Sequence, residues 1–240
     1  MANKGTVIVT GGSQGIGAAV VQSFLKRGYA VVATARKASQ APFEASPNLV
    51  LVDGDIGKIA TAKAVTETAI SHFGSIDHIV ANAGIFISKP FIDYTSADFQ
   101  SLVSTNIEGF LYVTQLAVKQ MLSQAKGGSV TGITAYMVDS PNATIPASVA
   151  MITKGGLTAA LLSLASEYAQ QHIRFNAVAP GVVDTPMHAN NPKDFLKSLS
   201  PMATISSSQD IADAVVYLAE ARNVTGEVLR VDGGSHVGKW

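Results

Sequence analysis

Short runs of β-branched and apolar residues alternate along the chain with longer stretches in which apolar positions return every three or four residues. The first pattern fits strands buried on both faces, and the second fits helices laid against a sheet. The strand runs are Thr6–Thr10, Ala30–Thr34, Leu49–Val52, His78–Ala81, Ser129–Ile133, Arg174–Val178 and Glu227–Val231. Helices are predicted over Gly15–Arg27, Ile59–Phe73, Ala97–Gln124, Ala147–Gln170 and Ser208–Glu220. In the fourth of these, Leu157, Leu161, Leu164 and Tyr168 form a stripe at helical spacing that a core would cover. Most prolines fall between the proposed elements or at a helix start, where a missing N–H costs least. Strict alternation of this kind predicts a single doubly wound, Rossmann-like α/β domain, a seven-stranded parallel sheet flanked by helices. The segment from Asp184 to Ser207, with three prolines, reads as a long mobile loop and a candidate lid.

Composition narrows the function. Of 240 residues 47% are hydrophobic, and 17 basic side chains balance 17 acidic ones, so no electrostatic footprint for nucleic acid or an anionic membrane exists. There are no cysteines, which excludes disulfides, thiolate nucleophiles and Cys-ligated metals, and makes the cytoplasm the expected location. The five histidines show no HExxH or HxxxH spacing, so no metal site is expected. No leader-like segment and no apolar stretch near the length of a membrane span is apparent, and no membrane association is expected.

The strongest local signal is Thr10-Gly-Gly-Ser-Gln-Gly-Ile-Gly17, directly after the first strand and opening the first helix. Free N–H groups and the helix dipole favour a phosphate there. Gly11, Gly15 and Gly17 would permit the tight turn, close approach of a pyrophosphate and close helix packing, while Ser13, Gln14 and Ile16 complete the cradle. The same residues also match the GxSxG elbow of a hydrolase, with Asp184 and His236 available to complete a triad. Against that reading, only ten residues precede Gly11, and the elbow's oxyanion hole borrows an N–H from an earlier loop. After the second strand, where a carboxylate would select NAD, the chain carries Thr34-Ala-Arg-Lys37. Arg36 beside the ribose favours NADP, with NAD possible; the alternative is that Arg36 and Lys37 are a solvated loop pair.

Further motifs follow in order: Asp55-Ile56 after the third strand, Asn82-Ala83-Gly84 after the fourth, Asn106 in a helix, Pro180-Gly181 with Val183 and Thr185 after the sixth, and Asp232-Gly-Gly234 after the seventh. In this order they give a chain that resembles the short-chain dehydrogenase/reductase family over essentially its whole length. The resemblance implies that Asp55 and Ile56 contact adenine and that Asn82, Ala83 and Gly84 lie beside the cofactor. It also implies that Asn106 anchors a relay water and that Pro180, Gly181, Val183 and Thr185 hold the nicotinamide carboxamide.

The resemblance breaks at the catalytic pair. The family's tyrosine and lysine are spaced YxxxK, and the matching segment here is Ala150-Met-Ile-Thr-Lys154. Lys154 is kept, with an implied second role on the nicotinamide ribose, but Ala150 has no proton to give. Within Gly132-Ile-Thr-Ala-Tyr136, Ala135 falls where the family has a serine. Tyr136 is the tyrosine nearest in sequence to that site, and strand alternation through Ala135 would turn it to the other face unless the strand ends first. Thr134, Ser148 and an ordered water are the competing donors.

The implied function is an NADP(H)-dependent oxidoreductase acting on a small carbonyl or alcohol with a non-standard proton donor, Asn106, Lys154 and Tyr136 forming the candidate catalytic set. The alternative is an NADP(H)-binding sensor or assembly protein in which the chemistry has been lost. The resemblance also implies a homodimer or homotetramer built through the helices at Ala97–Gln124 and Ala147–Gln170.

Overall fold

The computed structural model describes residues 4–237. Seven strands, β1 (Thr6–Thr10), β2 (Ala30–Ala35), β3 (Leu49–Asp53), β4 (His78–Ala81), β5 (Gly128–Ile133), β6 (Ile173–Pro180) and β7 (Val228–Val231), pair in the order β3-β2-β1-β4-β5-β6-β7. Every pairing is parallel. Alternation along β1 sorts the core: Ile8 points into a layer with Val65, Val113, Leu157 and Leu161, while Val7 and Val9 point into one with Val20, Phe24, Ile211 and Val215. The first layer belongs to α2 (Ile59–Phe73), α4 (Gly109–Gln124) and α5 (Ser148–Glu167), the second to α1 (Gly15–Lys26) and α7 (Ser208–Glu220). Strand order reverses at β1, with β2 on one side and β4 on the other, and a crevice opens there at the carboxyl ends of the strands.

Three expectations are corrected. The stretch Ala97–Gln124 is not one regular helix: α3 (Ser96–Val103) runs into a π-turn at Ser104–Glu108 and then into α4. The segment after Asp184 is not a featureless loop. It holds a 3₁₀ turn at Pro186–His188 and the short α6 (Lys193–Lys197), and buried Leu196 and Leu199 pin it down while Val183 bridges to Ser206. Finally, α5 is long and apolar enough by length and composition to cross a membrane, contrary to the reading that no such stretch is present. It packs against the sheet, with Leu157 and Leu161 in the core and Lys154 buried in its second turn.

Candidate active site

β1 ends at Thr10, and Gly11 and Gly15 then take φ angles of 66° and 53° that residues with a β-carbon rarely adopt. Gly17 packs so closely on the carbonyl of Gly11 that no β-carbon would fit. Gln14 precedes α1 without a side-chain cap, so side chains leave the first-turn N–H groups free for a ligand. The turn is tied to β4 from below: Thr10 Oγ1 accepts from the N–H groups of Asn82 (3.1 Å) and Ala83 (3.0 Å). Asn82 Nδ2 donates in return to the carbonyls of Thr10 and Gly11. Asn82 is therefore a fastener of the glycine turn as well as part of its wall.

The crevice encloses about 1220 Å³. Every residue nominated above as cofactor-binding lines it, from Gly11 through Arg36, Asp55, Asn82 and Lys154 to Thr185. At one end stand Arg36 and Lys37. The carboxylate at the close of β3, Asp53, is taken up by Ser39, whose N–H and hydroxyl each donate at 2.7 Å and hold its acid below the usual range. Asp55 accepts from Gly57 N–H, fixing the turn after β3. An uncapped helix N-terminus and glycines with no room for side chains fit a dinucleotide.

At the centre Lys154 Nζ donates to the carbonyl of Ile133 at 2.8 Å, and burial lowers its pKa to about 8. Gly84 makes room for it, since a β-carbon there would lie 3.0 Å from Nζ and 3.2 Å from Asn106 Oδ1. Asn106 is buried beneath the crevice rather than in its lining. Its Oδ1 accepts from Ile85 N–H and its Nδ2 donates to Ile85 O and Thr153 Oγ1, so the side chain positions the loop after β4. The π-turn that carries it widens the helix by one residue, a distortion often found at functional sites.

Around the missing hydroxyls the side chains are distinct. Ala135 lines the crevice, and Ala150 is fully buried in a cluster with Leu102, Tyr136, Met137 and Val149. Thr134 spends its hydroxyl on the carbonyl of Val178, and Ser148 is exposed outside the lining. β5 stops at Ile133 and a 3₁₀ turn begins at Tyr136, which places that side chain in the wall. Among the described residues its buried hydroxyl has no partner at hydrogen-bond distance and angle, although the Asn142 side chain lies near enough to act on its pKa. Burial pushes its pKa up, the Asn142 amide opposes that, and the Asp232 carboxylate adds to it. The hydrolase constellation does not assemble: His236 pairs with Asp232 at 2.9 Å and Asp184 with Lys193.

Residues 11–236 match a family model described as enoyl-(acyl carrier protein) reductase. Carbonyl reductase family member 4 of Xenopus laevis is 33% identical over 229 residues, covering 94% of this chain and 95% of the relative. The chain belongs to the short-chain dehydrogenase/reductase family of NAD(P)-dependent oxidoreductases. Among solved structures, 3-ketoacyl-(acyl-carrier-protein) reductase from Brucella melitensis complexed with NADH superposes with a TM-score of 0.91 at 26% identity, covering 98% of this chain and 100% of that one. ElxO with NADP bound gives 0.88 at 27% identity, with the same shares covered.

Sequence reading missed Thr10 and Thr153, which hold the glycine turn and Asn106. Thr10 is the first letter of the glycine motif itself, whereas nothing local marks Thr153. The segment from Asp184 to Ser207 hinted at a partly apolar pocket, but its inner wall of Phe86, Met137 and Ile145 was missed.

Proposed function

We propose that this member of the family is an NADP(H)-dependent reductase of a small carbonyl compound, or the reverse dehydrogenase, and that Tyr136 supplies the proton in place of a residue at 150. The carrying observation is the buried hydroxyl of Tyr136 in the crevice wall, without a partner among the described residues, while Ala135 in the same wall and the buried Ala150 offer only methyl groups. A bound nicotinamide supplies the hydride; the chain's residues orient the substrate and manage its oxygen. Tyr136 donates to the carbonyl oxygen and passes it a proton as the carbon is reduced. The phenol is protonated at neutral pH and so can donate, but burial raises its pKa and makes it a weak acid, which gives up its proton only as charge builds on the carbonyl oxygen. Lys154, already bound to Ile133, holds the cofactor end of the site, and Arg36 with Lys37 supports the choice of NADP.

Residues 184–207 serve as the lid in this reading. Exposed apolar side chains on α3, α4 and α5, including Phe99, Leu111, Ile152 and Leu162, support a homodimer or homotetramer through those helices. The absence of cysteine supports a cytoplasmic location. The deciding experiment is Tyr136→Phe. With NADPH affinity intact, loss of general acid catalysis lowers kcat by roughly 10²–10⁴. An unchanged kcat removes Tyr136 from the mechanism. A wild type that binds NADPH tightly yet turns over no carbonyl would assign the fold to sensing or assembly instead.

A further inference from the structure

We infer that the substrate is a neutral, largely apolar carbonyl compound or the matching alcohol, with a single polar group, rather than a sugar or a keto acid. This deepens the oxidoreductase reading and rests on it. The observations concern the half of the crevice beyond Lys154, at the ends of β5 and β6.

The first is charge. Among the described residues lining that half there is no Asp, Glu, Lys or Arg; the cations Arg36 and Lys37 stand at the opposite end, after β2, and Lys154 is engaged with Ile133. A substrate carboxylate buried there would lose its hydration with no cation beside it beyond the ammonium of Lys154 at the boundary of that half.

The second is hydrogen-bonding capacity. The polar side chains in that wall are largely committed to the protein: Ser88 Oγ donates to Pro146 O at 3.0 Å, Thr144 Oγ1 to Asn142 Oδ1 at 2.7 Å, and Asn191 Oδ1 meets His188 Nδ1 at 3.4 Å. Tyr136 alone among them has a buried hydroxyl without a partner. A polyhydroxylated substrate brings several groups that each need a partner, whereas the capacity left over from these bonds lies at exposed or half-buried side chains near the mouth, Ser88, Thr144, Asn191 and His188, and the inner wall offers the Tyr136 hydroxyl.

The third is the apolar surface. Phe86, Met137 and Ile145 form the inner wall. Met187 and Phe195, on the two short helical turns beyond Asp184, stand 57% and 42% exposed at the mouth. Both project over the same crevice that holds Tyr136, so an apolar ligand anchored there by its oxygen would cover them.

The test follows NADPH oxidation with methyl ketones of increasing chain length, an aldose and a short 2-keto acid, in the wild type and in Met187→Ser/Phe195→Ser. The inference expects kcat/KM to rise by about 2–4-fold per added methylene until the wall is filled, with a flatter rise in the double variant. It is overturned if the aldose or the keto acid is the better substrate. If no compound is turned over, the oxidoreductase reading fails, and straight-chain alcohols titrated into NADP⁺-saturated protein by calorimetry still decide the present point. Affinity that grows with chain length upholds an apolar site, and affinity indifferent to chain length overturns it.

Discussion

The ammonium of Lys154 donates a 2.8 Å hydrogen bond to the carbonyl of Ile133, the last residue of β5, and has no carboxylate partner among the described residues. A buried cation held by one carbonyl is costly in the free protein, which is why its pKa falls from 10.5 to about 8. The unfolded chain binds that proton more tightly, so the wild type gains stability as pH rises from about 8 toward 10.5. Lys154→Met should raise the thermal midpoint at pH 7 by several degrees, on the order of 1–3 kcal/mol, and the advantage should shrink above pH 8. The same variant should bind NADPH more weakly. Calorimetric scans at pH 7 and pH 9.5 measure the first effect, and a destabilised variant at pH 7 would show that the lysine holds the fold together.

Arg36 lines the far end of the crevice with Lys37, and Asp53 nearby is turned to Ser39. A charge-assisted bond from guanidinium to phosphate contributes roughly 1.5–3 kcal/mol. Arg36→Ala should therefore weaken NADPH about 10–100-fold and leave NADH within a factor of about 2. Fluorescence titration with both nucleotides tests it. Equal loss for the two would place Arg36 outside the phosphate site.

Much of this architecture was legible because its signals are local. The glycine turn is contiguous in sequence, and β-branched runs bounded by glycine and proline mark buried parallel strands without reference to their neighbours. The π-turn around Asn106 was not legible, since one extra residue in a helix barely disturbs the apolar period over Ala97–Gln124. α6 is five residues long, too short for any period to register, and its burial of Leu196 depends on contacts far away in sequence.

The site divides in the same way. Lys154 and Ala150 are read from one short motif, but the place of Tyr136 depends on where β5 stops, which the strand's own residues leave open. Ending at Ile133 and turning at Tyr136 carries the phenol into the crevice wall, whereas continued alternation would have sent it to the other face. Thr134, a competitor in sequence, is removed by its bond to Val178.

His78 opens β4 in the middle of the sheet, at the amino ends of the strands and away from the crevice, where its Nδ1 meets Ser129 Oγ at 2.8 Å and its ring stacks on Phe24. Burial lowers its pKa to about 4, so in the folded protein the ring stays neutral through mild acid. The unfolded chain takes up a proton near pH 6.5, and stability is therefore lost as pH falls from about 6.5 to about 4. With allowance for the ring's partial contact with solvent, the loss is on the order of 2 kcal/mol. His78→Gln removes the titration, so its stability should fall less steeply over this range even if it starts lower at pH 7.5. Urea midpoints at pH 7.5 and pH 4.5 for both proteins decide it: a smaller drop for the variant is expected, and parallel drops would mean that His78 does not contribute to the acid limb.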